Sequence, residues 1–220
     1  MTKTVLYESR KSDATIKLND QLIEKVDDFK YLGSMIISTD ADVKMRKTLA
    51  WSAFWKLKTI WFSRTIPNQL KIKIYKASCL SVLLYGCESW VLNQQQQESL
   101  NAFALKCYRT ILGINRLDHV TNNEIYSTIK ETPLYNTIKK RQLQFTGHIL
   151  RMDEKEISHI YALYEPSGIK NKRGAPKMSY RKYIAKMISG NMELTSDEIK
   201  RYAMDRSVWK RLISDVTVDK

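Results

Sequence analysis

At 220 residues with 43% apolar side chains, the chain can bury one medium core or two small ones. Its 37 Lys and Arg against 23 Asp and Glu leave a formal charge of +14, which favours phosphate-bearing partners without singling out RNA or DNA. No apolar run approaches the roughly 20 residues that cross a bilayer, and Met1 to Arg10 lack the apolar stretch and cleavage site of a secretory signal. An intracellular protein, nuclear or cytoplasmic, neither secreted nor transmembrane, is therefore expected.

Short β-branched or aromatic segments come first: Thr4 to Tyr7, Thr15 to Leu18, Leu22 to Val26 and Phe29 to Ile37, with Asn19-Asp20 as a turn signal. They predict a small antiparallel strand unit over about residues 4–37. From Asp42 the period changes to about 3.6, and Ala50, Ala53, Phe54, Leu57, Ile60 and Trp61 form one apolar stripe. Pro67 suits the first position of a second helix, whose stripe of Ile72, Tyr75, Cys79, Val82 and Leu83 runs to about Leu92. A third runs from about Gln95 to Leu112 through Leu100, Phe103, Ala104, Cys107 and Ile111, with Gly113 as its stop.

Thr121-Asn122-Asn123-Glu124 has capping-box spacing and opens a fourth helix ending before Pro133. Thr132-Pro133 starts a fifth, carried to about Met152 by Leu134, Ile138, Phe145, Ile149 and Met152. Gly147 inside it costs about 1 kcal/mol relative to Ala, which predicts a close helix crossing there. Pro166 to Pro176 reads as a basic linker, followed by helices over about Ser179 to Ile188 and Ser196 to Ile213. The fold class is α+β and predominantly α-helical, divided as 1–37, 38–152, 153–178 and 179–220.

Cys79, Cys87 and Cys107 lie inside apolar helical patterns and lack zinc-ligand spacing, so they read as reduced core thiols. Val43 to Cys87 holds nine Lys or Arg and no acid, with aromatics interleaved at largely helical spacing. On the first helix Lys44, Lys47, Trp51, Trp55 and Lys58 follow steps of three or four, with Arg64 beyond. Cations for phosphates and indoles that stack on bases would then share a face; alternatively the indoles pack against neighbouring helices and the lysines are merely solvated, and packed indoles can go together with phosphate-binding lysines. On the fifth helix Arg141, Gln144, His148 and Arg151 align by the same spacing opposite Phe145, Ile149 and Met152, a face able to grip a sugar-phosphate backbone. His148 reads as a surface or capping histidine rather than a catalyst. From Pro166 to Gly190 seven basic residues and no acid, among them Lys172, Arg173 and Lys177, suit phosphate tracking, a nuclear address or plain solubility.

Chemistry is harder to place. Two-metal phosphoryl transfer needs clustered carboxylates, and before the helices only Asp27-Asp28 is an adjacent pair, preceded by Lys25-Val26 rather than an aromatic-x dipeptide. His119, His148 and His159 show no metal-ligand spacing, and neither a Gly-rich phosphate loop nor a nucleophile elbow occurs. No catalytic residue, metal or cofactor is assigned.

Val26-Asp27-Asp28-Phe29-Lys30-Tyr31-Leu32-Gly33-Ser34 and Leu83-Leu84-Tyr85-Gly86-Cys87-Glu88-Ser89-Trp90 resemble the reverse transcriptase polyprotein of non-LTR (LINE-type) retrotransposons. Two further blocks agree in order: Arg141-Gln142-Leu143-Gln144-Phe145-Thr146-Gly147-His148-Ile149-Leu150-Arg151-Met152 and Ala203-Met204-Asp205-Arg206-Ser207-Val208-Trp209-Lys210. The resemblance spans essentially the whole chain. It implies that Phe29, Tyr31, Leu32 and Gly33 form the last, primer-gripping strand of a polymerase palm and that residues 38–152 form a thumb. It also implies a start downstream of the family's aromatic-x-Asp-Asp loop, because Met1 stands where the first Lys of its K-T-K strand would be. Departures occur where Phe145 replaces a Trp and where the basic turn reads Arg173-Gly174-Ala175-Pro176-Lys177-Met178-Ser179-Tyr180, one Arg and one Trp short of the family's pattern.

The expected function is sequence-tolerant binding of RNA, DNA or their hybrid by a non-catalytic remnant of such an element. One alternative is an accessory part or fragment of an RNA-directed DNA polymerase. The other is an interaction module whose strand edge pairs with another chain.

Overall fold

The computed structural model describes residues 5–6, 17–18, 21–22, 24–25, 30–35, 38–165, 178–190 and 193–217. Within them the protein is predominantly helical with little strand, as the periodicities require. It divides into two compact units, Met1–Met45 and Arg46–Lys220.

The first unit carries the strands, each of two residues: β1 (Val5–Leu6), β2 (Lys17–Leu18), β3 (Gln21–Leu22), β4 (Glu24–Lys25), β5 (Lys30–Tyr31) and β6 (Ser34–Met35). β2 with β3 and β5 with β6 pair antiparallel as expected, whereas β1 and β4 pair in parallel. The chain between β1 and β4 is long enough for the crossover that parallel pairing needs. Tyr31 pairs with Ser34 around a two-residue turn in which Leu32 and Gly33 have φ of 47° and 87°. Two successive positive φ values are the signature of the twist-matched hairpin turn. Gly33 adopts this at no steric cost, whereas Leu32, 74% exposed, places a branched side chain in the left-handed region at a cost of about 1–2 kcal/mol. The single strand expected through Leu32 and Gly33 therefore reverses there, and Phe29 lies outside the described residues. The Met35 N–H donates to Asp42 Oδ1 at 3.0 Å.

Helix α1 (Thr39–Lys56) begins a little before the expected Asp42, with Asp40 and Asp42 in its first turn and Lys56 in its last, complementing the helix dipole. It stops short of the Trp61 that the stripe reaches, because Leu57 departs from helical geometry (φ −101°, ψ 19°) before α2 (Lys58–Phe62) resumes. The break is bridged from both sides: the Trp61 indole N–H donates to the Phe54 carbonyl at 2.7 Å, and the buried Lys71 ammonium donates to the Trp61 carbonyl at 2.9 Å.

Helix α3 (Asn68–Tyr75) follows Pro67, runs into a π-helical turn over Lys76–Leu80, and ends in α4 (Ser81–Leu83), well before the expected Leu92. The wider turn shifts the phase of the apolar face, so that Tyr75, Cys79, Leu80, Leu83 and Leu84 are all buried. Helix α5 (Gln94–Leu112) is capped by a reciprocal Asn93–Gln96 box and ends at Gly113 as predicted. Helix α6 (Asn122–Ile129) opens on the predicted Thr121–Glu124 box.

The core is organised around α7 (Leu134–Leu150), which packs against α5, the 3-10 turn Cys87–Ser89, α8 (Ile157–Ala162), α10 (Ser196–Met204) and α11 (Arg206–Thr217). Helix α8 has no counterpart in the sequence reading. Helix α9 (Tyr180–Ser189) matches the expected stretch. The single stretch expected from Ser196 to Ile213 is two helices, because Asp205 leaves helical geometry and its carboxylate accepts from the Ser207 and Val208 N–H groups at 2.8 and 3.1 Å, starting α11 afresh.

The close crossing expected at Gly147 is present: a Cβ there would fall 2.2 Å from Trp209 Nε1. All three cysteines are buried free thiols, as expected, and burial pushes Cys87 and Cys107 up to about 12, so they stay protonated. Among the described residues no helix is long and apolar enough to cross a membrane.

Candidate nucleic-acid interface

Three of the four polar residues expected on one face of α7 line an open cleft of about 680 Å³ between α7 and α11. Gln144, His148 and Arg151 form one wall together with Lys140, and Arg206 and Lys210 project from the other. Among the described residues no acid lines it. The wall spacing is set at Gly147, where the absent side chain lets the Trp209 indole sit against α7 and donate to the Leu143 carbonyl at 2.8 Å. Below it the Arg151 guanidinium donates to the Ala203 carbonyl at 2.6 Å, tying α7 to the end of α10. Burial, and then the neighbouring Arg206, hold Arg151 below the usual arginine value.

Arg141 turns elsewhere. Its Nη1 lies 3.5 Å from the Leu84 carbonyl, and it lines a second depression of about 490 Å³ with Gly86, Glu88, Ser89, Gln144 and Phe145. Gln144 thus borders both clefts. Phe145 was expected opposite this polar row but is 44% exposed and lies beside it, because Gln142, not Phe145, occupies the buried position of that turn. The Gln142 side-chain amide is fully enclosed. Its Nε2 donates to the Cys87 and Trp90 carbonyls, both at 2.8 Å, and its Oε1 accepts from the Tyr183 hydroxyl at 3.3 Å. The Tyr180 hydroxyl donates to the Glu88 carbonyl at 2.9 Å. The sequence blocks at 83–90, 141–152 and 203–210 are therefore joined by side chains in space, with Arg141, Gln142, Arg151 and Trp209 each donating to a backbone carbonyl of another element.

The α1 row is divided. Lys44 forms an i,i+4 ion pair with Asp40 at 3.2 Å. Lys47 donates to Ser99 Oγ at 2.7 Å, and with Trp51 and Lys106 it lines a cleft of about 450 Å³ between α1 and α5. Trp51 stacks on Phe54 with centroids 5.8 Å apart, and Trp55 meets Trp51 edge-on at 5.5 Å, so both indoles belong to an aromatic cluster, as the packing alternative held. Trp55 nonetheless remains 39% exposed. Lys58 and Arg64 are exposed and line neither cleft. Lys172, Arg173 and Lys177 lie outside the described residues. The α1 and α7 rows thus line different clefts.

Sequence reasoning passed over Lys106, Lys140, Arg206 and Lys210. Lys140 was within reach, since it stands four residues before Gln144 and extends the same helical row. Arg206 and Lys210 are also an i,i+4 pair, but only the packing of α11 on α7 brings them to the groove.

No family model and no solved structure matches the chain. It is 24% identical over 203 residues to a protein of Caenorhabditis elegans described as transposon-derived, a match covering 87% of this chain and 71% of that one. The likeness points to an origin in a transposable element.

Proposed function

We propose that the groove between α7 and α11 binds the sugar-phosphate backbone of RNA, DNA or their hybrid, and that the chain derives from the C-terminal part of a LINE-type retrotransposon reverse transcriptase polyprotein. The observation that carries the binding reading is the convergence of Lys140, Arg151, Arg206 and Lys210 on one cleft with no acid among its described lining residues. Lysine offers point charges, and arginine adds a planar fork that fits phosphate oxygens. Such contacts fix a strand without reading its bases, so binding is tolerant of sequence. The LINE-type origin is supported by four ordered blocks and by the likeness to a transposon-derived protein. Side chains of this kind supply grip rather than bond making.

A filter-binding titration at several salt concentrations tests the reading. About three phosphate contacts give a log-log slope near −3 on duplex DNA and near −2 on single strands. The double variant Lys140→Glu, Lys210→Glu is expected to lower the magnitude of that slope by about two and to weaken all sequences alike. Affinity indifferent to salt, or to the double variant, removes the groove from consideration. With Mg²⁺ and a primed RNA template no incorporation is expected from the chain alone, and incorporation above a blank would turn the reading toward a polymerase.

A further inference from the structure

The cleft between α1 and α5 has a different build from the α7–α11 groove. Its floor is aromatic: Trp51, half-buried, presents one indole face, with Phe103 edge-on at a centroid distance of 5.9 Å. The opposite face of Trp51 is already stacked on Phe54 at an interplanar angle of 9°. Over the ring stands the exposed Lys106 ammonium, 4.5 Å from the centroid. A cation resting on an indole is held by about 0.5–1 kcal/mol at an exposed site, less than a stacked base provides. The Lys47 ammonium sits on the other side, hydrogen-bonded to Ser99 Oγ at 2.7 Å. The volume, about 450 Å³, falls in the range of small-ligand sites. Among the described residues no acid lines it.

We infer that this cleft takes one unpaired nucleobase of a single strand, stacked on the outer face of Trp51, with the flanking phosphates held by Lys47 and Lys106. On entry the base displaces the Lys106 ammonium from the indole, and the long side chain carries that charge to the phosphate beside it, so no cation is buried or left uncompensated. Thr48 and Ser99 border the site with their side chains. A base already paired in a duplex exposes no face to the indole, so the cleft discriminates strandedness where the α7–α11 groove reads charge alone.

The inference stands apart from the proposed α7–α11 groove, and one set of titrations separates the two. Fluorescence anisotropy with the full chain compares an eight-residue oligothymidine with an abasic oligonucleotide of equal length and charge, in deoxyribose and ribose forms. The base-bearing strand is expected to bind about tenfold more tightly, with either sugar, and the tighter of the two identifies the preferred strand. Ala102→Glu, at an exposed helical position lining the cleft, is expected to bring that ratio to near one, as is Lys106→Glu to a smaller degree. Lys140→Glu, Lys210→Glu in the other groove should weaken both oligonucleotides and leave the ratio intact. A wild-type ratio near one, a ratio that survives Ala102→Glu, or no binding of either strand overturns the inference. If only the double variant proves neutral, the groove reading fails while this one stands.

Discussion

A methyl group added at Gly147 would collide with the Trp209 indole at 2.2 Å, and both residues lie on rigid helices with little room to part. Gly147→Ala should therefore destabilise by about 1–3 kcal/mol through overpacking, even though alanine is the better helix former by about 1 kcal/mol. Calorimetry of Gly147→Ala, Trp209→Phe and the double variant checks it: a smaller ring should recover part of the loss, and simple additivity would show that the two do not meet. Gln142 gives a second case. Gln142→Met keeps volume and apolar contact but deprives the Cys87 and Trp90 carbonyls of donors, at a cost of about 1–3 kcal/mol. A melting curve within error of wild type would mean that the amide is not needed. The sequence announced the first residue and hid the second: a glycine inside a strong helical pattern is an anomaly that asks for a neighbour, whereas a glutamine looks like surface until its helix is packed.

Helix starts were the most legible elements, because a capping box is a local event within four residues. Thr121–Glu124 was foreseen, and Asn93–Gln96 and Thr195–Glu198 obey the same chemistry. Helix ends and breaks were less so. The departure at Leu57, the π-helical turn at Lys76–Leu80 and the split at Asp205 each answer to partners distant in sequence or to a side chain competing with the helix. The caps imply a pH dependence. Hydrogen bonds from Thr121 to Glu124, from Thr195 to Glu198 and from Ser207 and Val208 to Asp205 hold all three carboxyls below their usual values. A group depressed in the folded state stabilises fully above its unfolded value, about 4, and loses that contribution as pH falls through the folded value. Thermal stability should thus be flat from neutrality to about pH 5 and decline below about 4. Glu124→Gln, Glu198→Gln, Asp205→Asn should blunt the decline, and a profile superimposable on wild type would rule out the caps as its source.

At the scale of the molecule, the basic composition favours phosphate-bearing partners but gives no place for one to sit. A charge of +14 can be spread over a surface or gathered into grooves, and only helix packing decides between them. Periodicity put Gln144, His148 and Arg151 in one row, yet it also included Arg141, which helix rotation sends to the neighbouring depression. If the gathered cations are the determinant, equal numbers of charge reversals behave unequally. Lys140→Glu with Lys210→Glu should reduce duplex affinity at moderate salt by tenfold or more, whereas Lys58→Glu with Arg64→Glu, which line neither groove, should do so by less than half as much on a logarithmic scale. Equal losses from the two pairs would mean that net charge alone governs binding.

The indole of Trp209 seated over Gly147, the Arg151 guanidinium on the Ala203 carbonyl and the two tyrosines of α9 reaching back to residues 88 and 142 make the C-terminal helices integral to the core rather than appended to it. Peptide continuity between the halves is then dispensable once folding is complete. Scission at a protease site engineered within residues 166–177 should yield two polypeptides that co-elute under native conditions and part only in denaturant, so that either piece could serve as bait to recover the other.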